Sequence, residues 1–141
     1  MNPFQKGFLE GIIPPPPMTV SAWSNSHRRL SSKGSSEPGP WRTSRVPYTK
    51  EVMDCLSVTN TDVERVVVMF GAQLGKTEMG INFLLYTIDH CPAPILCVAA
   101  SLDMVKRMSR QRLEPAFEET PVIKAKIAPQ RSRDASNSMF I

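Results

Sequence analysis

Arg65-Val66-Val67-Val68-Met69-Phe70, followed without a break by Gly71-Ala72-Gln73-Leu74-Gly75-Lys76-Thr77-Glu78, is the stretch that decides the fold. An apolar, β-branched run with no polar alternation reads as a strand covered on both faces. The glycines then open a tight turn, where the missing Cβ lets the backbone approach an anion closely. Successive N–H groups of such a turn face inward and make an anion-binding concavity. A helix starting near Gly75 aims its unpaired first N–H groups and positive dipole end at the same point. In this arrangement Lys76 reaches the β- and γ-phosphates of ATP and the Thr77 hydroxyl ligates Mg²⁺.

The match to the phosphate-loop pattern G-x-x-x-x-G-K-[ST] is a variant, because the pattern puts its first glycine at position 70 and this chain has Phe70 and then Gly71. A Gly-Lys-Thr triplet alone is weak evidence; the strand before it and the apolar helix after it carry the reading. The bland alternative is a strand-turn-helix with an exposed lysine. It does not explain why both glycines flank the sharpest turn.

Downstream, Met79, Phe83, Leu84 and Ile88 recur at spacings of three and four and predict a mostly buried helix from about 75 to 89. Gly80 within it predicts close packing on a sheet. Glu78 falls in the first turn, favourable for the dipole, and is expected to point away along the helix rather than act in catalysis. Residues 95–100 are apolar throughout and predict a second strand. Strand, helix, strand makes a right-handed crossover with parallel pairing. The expected fold class is therefore α/β, an incomplete phosphate-loop NTPase with a parallel sheet flanked by helices. Ser101 is placed to cap a helix from about 102 to 113 that carries Lys106, Arg107, Arg110 and Arg112, and Pro115 breaks or restarts it.

Upstream, Trp23, then His27-Arg28-Arg29-Leu30-Ser31-Ser32, then Glu37-Pro38-Gly39-Pro40-Trp41-Arg42-Thr43-Ser44-Arg45-Val46-Pro47-Tyr48 precede the loop. Lys106-Arg107-Met108-Ser109-Arg110-Gln111-Arg112-Leu113-Glu114-Pro115 and Arg131-Ser132-Arg133-Asp134 follow it. With the loop, and in this order, these segments resemble the GpA type of bacteriophage terminase large subunit from about residue 20 to the end. The loop itself resembles the Walker A segment of that family. The resemblance implies an ATPase domain that drives double-stranded DNA into a procapsid, with a small terminase subunit and the portal protein as partners. It further implies an oligomer in the full-length parent, a separate nuclease domain and action in the host cytoplasm. It also implies that an aromatic residue ahead of the loop meets the adenine ring. Tyr48 is in that place, with half-buried packing as the competing reading. Position 72 is alanine where many such subunits carry arginine.

After Thr77 no apolar run closes in Asp or Asp-Glu as a Walker B strand does. Asp89 is expected to end a helix and Asp103 to sit in the first turn of another. The expectation is thus the N-terminal part of such an ATPase domain, residues 19–141, preceded by an N-terminal segment and proline spacer, 1–18. Neither Walker B nor nuclease residues are present, and turnover is not expected from these residues alone. An inactive prophage remnant, a non-enzymatic basic DNA-binding fragment and a helicase-like translocase are the other readings.

The rest of the sequence sets bounds. A net charge of +4 suits a polyanionic partner without specifying one. Cys55, Cys91 and Cys97 show neither paired C-x-x-C spacing nor histidine pairs, so reduced thiols are expected rather than a zinc site. No apolar run approaches the roughly 20 residues that span a membrane. Residues 1–13 predict a short packing helix ended by Pro14 to Pro17, Thr19 a helix cap, and Pro47 the start of a helix to about 57. The segment 31–43 predicts a loop, and with Arg28, Arg29, Lys33, Arg42 and Arg45 it is either a phosphate contact or a solvated basic surface. Residues 136–141 predict a third strand.

Overall fold

The computed structural model describes residues 2, 7–8, 16–33, 35 and 37–127. The packing helix expected in 1–13, the segment Arg131 to Asp134 and the third strand expected at 136–141 lie largely or wholly outside the described residues. The elements run α1 Val20–His27, a two-residue antiparallel pair β1 Arg29–Leu30 and β2 Gly39–Pro40, then short 3₁₀ turns Thr43–Arg45 and Pro47–Thr49. There follow α2 Lys50–Cys55, α3 Lys76–His90, α4 Leu102–Met108, a π-helical turn Ser109–Leu113, α5 Glu114–Glu119 and α6 Pro121–Lys124.

Helix α1 starts where the sequence says it should: Thr19 accepts the Ala22 N–H at 3.3 Å, and Ser101 caps α4 in the same way through Met104. The core lies where α1 and α2 meet α3. Val20, Trp23, Met53, Met79, Ile81, Leu85 and Tyr86 are buried together, and Ala116 and Ile123 belong to the same cluster. Trp23 and Tyr86 meet edge to face, with ring centroids 6.4 Å apart. Their polar ends are satisfied. The Tyr86 hydroxyl donates to the Met18 carbonyl at 2.9 Å, and Trp23 Nε1–H donates to Asp89 Oδ2 at 2.8 Å.

A parallel sheet does not appear among the described residues. Segments 65–70 and 95–100 have strand composition but form no strand there, and Met69 is 91% and Leu96 88% exposed. Pairing needs a neighbour about 4.8 Å away along the whole segment, and no described residue supplies one. Nor is close packing at Gly80 seen among the described residues: it is exposed, and a Cβ added there would meet nothing within 4 Å. The face of α3 expected to lie close on a sheet is open. The segment 31–43, expected to be all loop, contains β2 and the first residue of a 3₁₀ turn.

The helical run from Leu102 to Glu119 does not stop at Pro115. Proline has no N–H and clashes with the carbonyl four residues back, and here that carbonyl, of Gln111, belongs to the π-helical turn 109–113. The wider turn lets the chain pass proline without ending the helix.

Asp89, in the last turn of α3, accepts from Trp23 and pairs with Lys126 at 2.7 Å. Partial burial would raise its pKa. Hydrogen bonds from Lys126 and Trp23 and the nearby positive charges outweigh that and hold it below the usual carboxylate value. A depressed folded pKa gives stability that is present above the unfolded value of about 3.9 and is lost as pH falls through the folded one. Asp89→Asn should therefore lower stability near neutral pH by about 1 kcal/mol, a figure discounted for partial solvent screening. In urea titrations repeated along the pH scale, the difference from wild type should shrink once pH drops below about 4. A pH-independent difference would count against this assignment.

Candidate functional site

The loop between 70 and 76 turns twice through the left-handed region, at Gln73 with φ 60° and at Gly75 with φ 78°. Gly75 is the N-cap of α3, and its carbonyl accepts the Met79 N–H at 3.0 Å. Helix geometry leaves the N–H groups of Lys76, Thr77 and Glu78 without partners inside the helix. A 15-residue helix therefore presents its positive end at the loop.

Lys76 folds back over the turn. Its Nζ donates to the Phe70 carbonyl at 2.6 Å and to the Gly71 carbonyl at 2.8 Å. An ammonium has three donors, so two hold the lysine across the loop and one remains for a ligand. A cavity of about 450 Å³ opens beside it, lined by Gln73, Leu74, Gly75, Lys76, Thr77 and Glu78 together with Ser35 and Arg112. Thr77 is exposed on this wall, with its hydroxyl available to a cation. Gly71 and Ala72 belong to the exposed start of the loop and do not line the cavity. The donor set fits a phosphate chain: orphan N–H groups, a tethered ammonium and a hydroxyl on one concave surface.

Tyr48 does not line the cavity. It is half exposed and packs edge-on against Phe70, centroids 5.7 Å apart, so it joins the loop at its root. Asp89 and Asp103 are also away from it. Asp103 sits in the first turn of α4, as expected.

Glu78 is more involved than its sequence position suggested. Its Oε2 takes Arg28 Nη2 at 3.1 Å and its Oε1 takes Arg112 Nη1 at 3.4 Å. Arg28 is only 3% exposed; Nε donates to Asn82 Oδ1 at 3.2 Å and Nη1 to the Arg29 carbonyl. Burial lowers the Arg28 pKa, and Glu78 opposes that. Arg28 is thus not part of a basic DNA-facing loop but a tie between α1 and the first turn of α3. Arg45 pairs with Glu37, while Arg29, Lys33 and Arg42 stay on the surface. The sequence reading left Arg112 as one of several basic positions. Its only local signal was Pro115, three residues on, which marks an irregular turn.

Residues 35–141 match the family model described as phage terminase large subunit gpA, ATPase domain. No curated protein and no solved structure matches the chain.

The left-handed turn at Gly75 has free space around it, so a side chain there would be limited by backbone strain alone. Gly75→Val should cost about 1–2 kcal/mol and Gly75→Asn clearly less, because asparagine tolerates this region. Thermal melts of the two variants check the order, and equal losses would show that crowding rather than φ governs the position.

Proposed function

Because the chain belongs to the ATPase-domain family of gpA-type phage terminase large subunits, a nucleotide-using, DNA-packaging family, we propose that residues 71–78 are its cradle for the phosphates of ATP. The observation that carries this is Lys76, held across the turn by the Phe70 and Gly71 carbonyls beside a cavity walled by the loop. Gly71, Ala72, Gln73, Leu74 and Gly75 supply backbone, and the N–H groups of Lys76, Thr77 and Glu78 face the anion. Lys76 binds the β- and γ-phosphates with its remaining donor, and the Thr77 hydroxyl holds Mg²⁺. When bound, Mg²⁺ offsets charge on the phosphate oxygens.

Tyr48 is proposed to meet the adenine. Its half-exposed ring against Phe70 stands at the base of the loop. The same reading takes 65–70 and 95–100 as parallel strands of a phosphate-loop sheet joined through α3, pairing with further strands of an ATPase domain. The open apolar surface at Met69 and Leu96 and the empty space over Gly80 support it. Residues 1–18 then serve as a leading segment and proline spacer, and 19–141 as the start of the ATPase domain. Double-stranded DNA, a small terminase subunit, the portal protein and further copies of the parent are the proposed partners, and the host cytoplasm is the proposed setting. Among the described residues no helix is long and apolar enough to cross a membrane.

Titration calorimetry with Mg²⁺-ATP on the chain and on Lys76→Ala tests the cradle. Binding should be seen for the wild type and fall at least about tenfold in the variant, the loss expected for a charge-assisted contact. Circular dichroism should be the same for both. A folded wild type that takes up no nucleotide would refute the proposal.

A further inference from the structure

The cavity beside the loop has a second wall, and that wall belongs to another part of the chain. Thr77 and Arg112 both line it, and both also line a neighbouring cavity of about 220 Å³ with Met104, Arg107, Met108 and Gln111. Arg112 thus borders both openings, as does the residue proposed to hold the cation. We infer that Arg112 is a phosphate-contacting residue of this same site, acting within the chain: it exchanges its ion pair with Glu78 for the phosphate chain of the nucleotide held by Lys76. This inference rests on the nucleotide reading of 71–78.

Three observations carry it. The Glu78 pair is arranged for exchange: Arg112 lies at 3.4 Å and its side chain is 44% exposed, whereas buried Arg28 holds the other carboxylate oxygen at 3.1 Å. An open pair of that kind contributes little to stability. Glu78 also keeps a cationic partner when Arg112 swings away, so no bare carboxylate is left facing the incoming anion.

The second observation is register. Arg112 lies in the π-helical turn that precedes Pro115. One extra residue in a turn rotates everything upstream by about 100° relative to an unbroken α-helix. The irregularity that accommodates proline is therefore also what sets which basic side chain faces the loop. Arg107 reaches only the second cavity, and Lys106 and Arg110 line neither.

The third is chemistry. A guanidinium presents a planar fork that matches two phosphate oxygens at once. It supplies a second cation, besides Lys76, on the lining of the cavity proposed to take the phosphate chain.

The test is Mg²⁺-ATP affinity of the whole chain by calorimetry, for wild type, Lys76→Ala, Arg112→Ala, Arg112→Lys and Arg110→Ala. Arg110→Ala removes the same charge from the same helical run at a residue that lines neither cavity. Arg112→Ala should weaken binding about tenfold, as for loss of one charge-assisted contact. Arg112→Lys should fall between it and wild type, and Arg110→Ala should stay near wild type. Circular dichroism without nucleotide should show every variant folded. Wild-type affinity in Arg112→Ala, or an equal loss in Arg110→Ala, overturns the inference while leaving the Lys76 cradle standing. Absence of binding by the folded wild type removes the cradle and this inference together.

Discussion

The guanidinium of Arg28 is buried, and the placement of the loop depends on how that charge is met. Removing a cation from water costs several kcal/mol unless its donors are satisfied. Here they are satisfied by Glu78 and Asn82, one turn apart on α3, and by the Arg29 carbonyl. The carboxylate lies in the first turn of the helix whose N-terminus closes the loop. The end of α1 is thereby locked to the start of α3. Trp23, reaching Asp89, fixes the other end of the same contact. Between these polar ties lies the apolar contact of Val20, Trp23, Leu85 and Tyr86. Two polar ties at opposite ends of one apolar interface leave α3 little freedom to slide or rotate, so its N-terminus and Lys76 are held in place from the helical side.

The expected strand that aims the loop is not seen among the described residues. The strand-like segment 65–70 ends at the right residue, but its backbone has no ladder partner among the described residues. Its contribution is local: Phe70 gives its carbonyl to Lys76 and its ring to Tyr48. Unpaired, apolar edges such as Met69 and Leu96 are surfaces on which other strands can add.

What the sequence disclosed is what local chemistry decides. Thr19 and Ser101 cap helices because a hydroxyl can meet an N–H three residues on. Gly75 ends the turn because it takes a positive φ, and Lys76 follows from its place after that glycine. The apolar spacing of Met79 and its successors marked α3, although Asn82 and Tyr86, not Phe83 and Leu84, are its most buried residues besides Met79, Ile81 and Leu85. What stayed hidden depends on distant partners. Valines at 66–68 state a preference for strand but not which segment pairs with them. Arg28 reads as surface charge, since its partners lie 50 and 54 residues away. Arg112 reads as one cation among four, because its orientation is set by a π-turn that no periodicity announces.

The most direct test of this account is amide hydrogen exchange on the chain alone. If the loop is anchored by the helical layer, amides in the middle of α3, around Asn82 to Ile88, should exchange with the protection of global unfolding, while those of 65–70 and 95–100 exchange rapidly. Protection at 65–70 equal to that of α3 would mean that the segment is paired in a sheet and that the strand, not Arg28 and its partners, holds the loop.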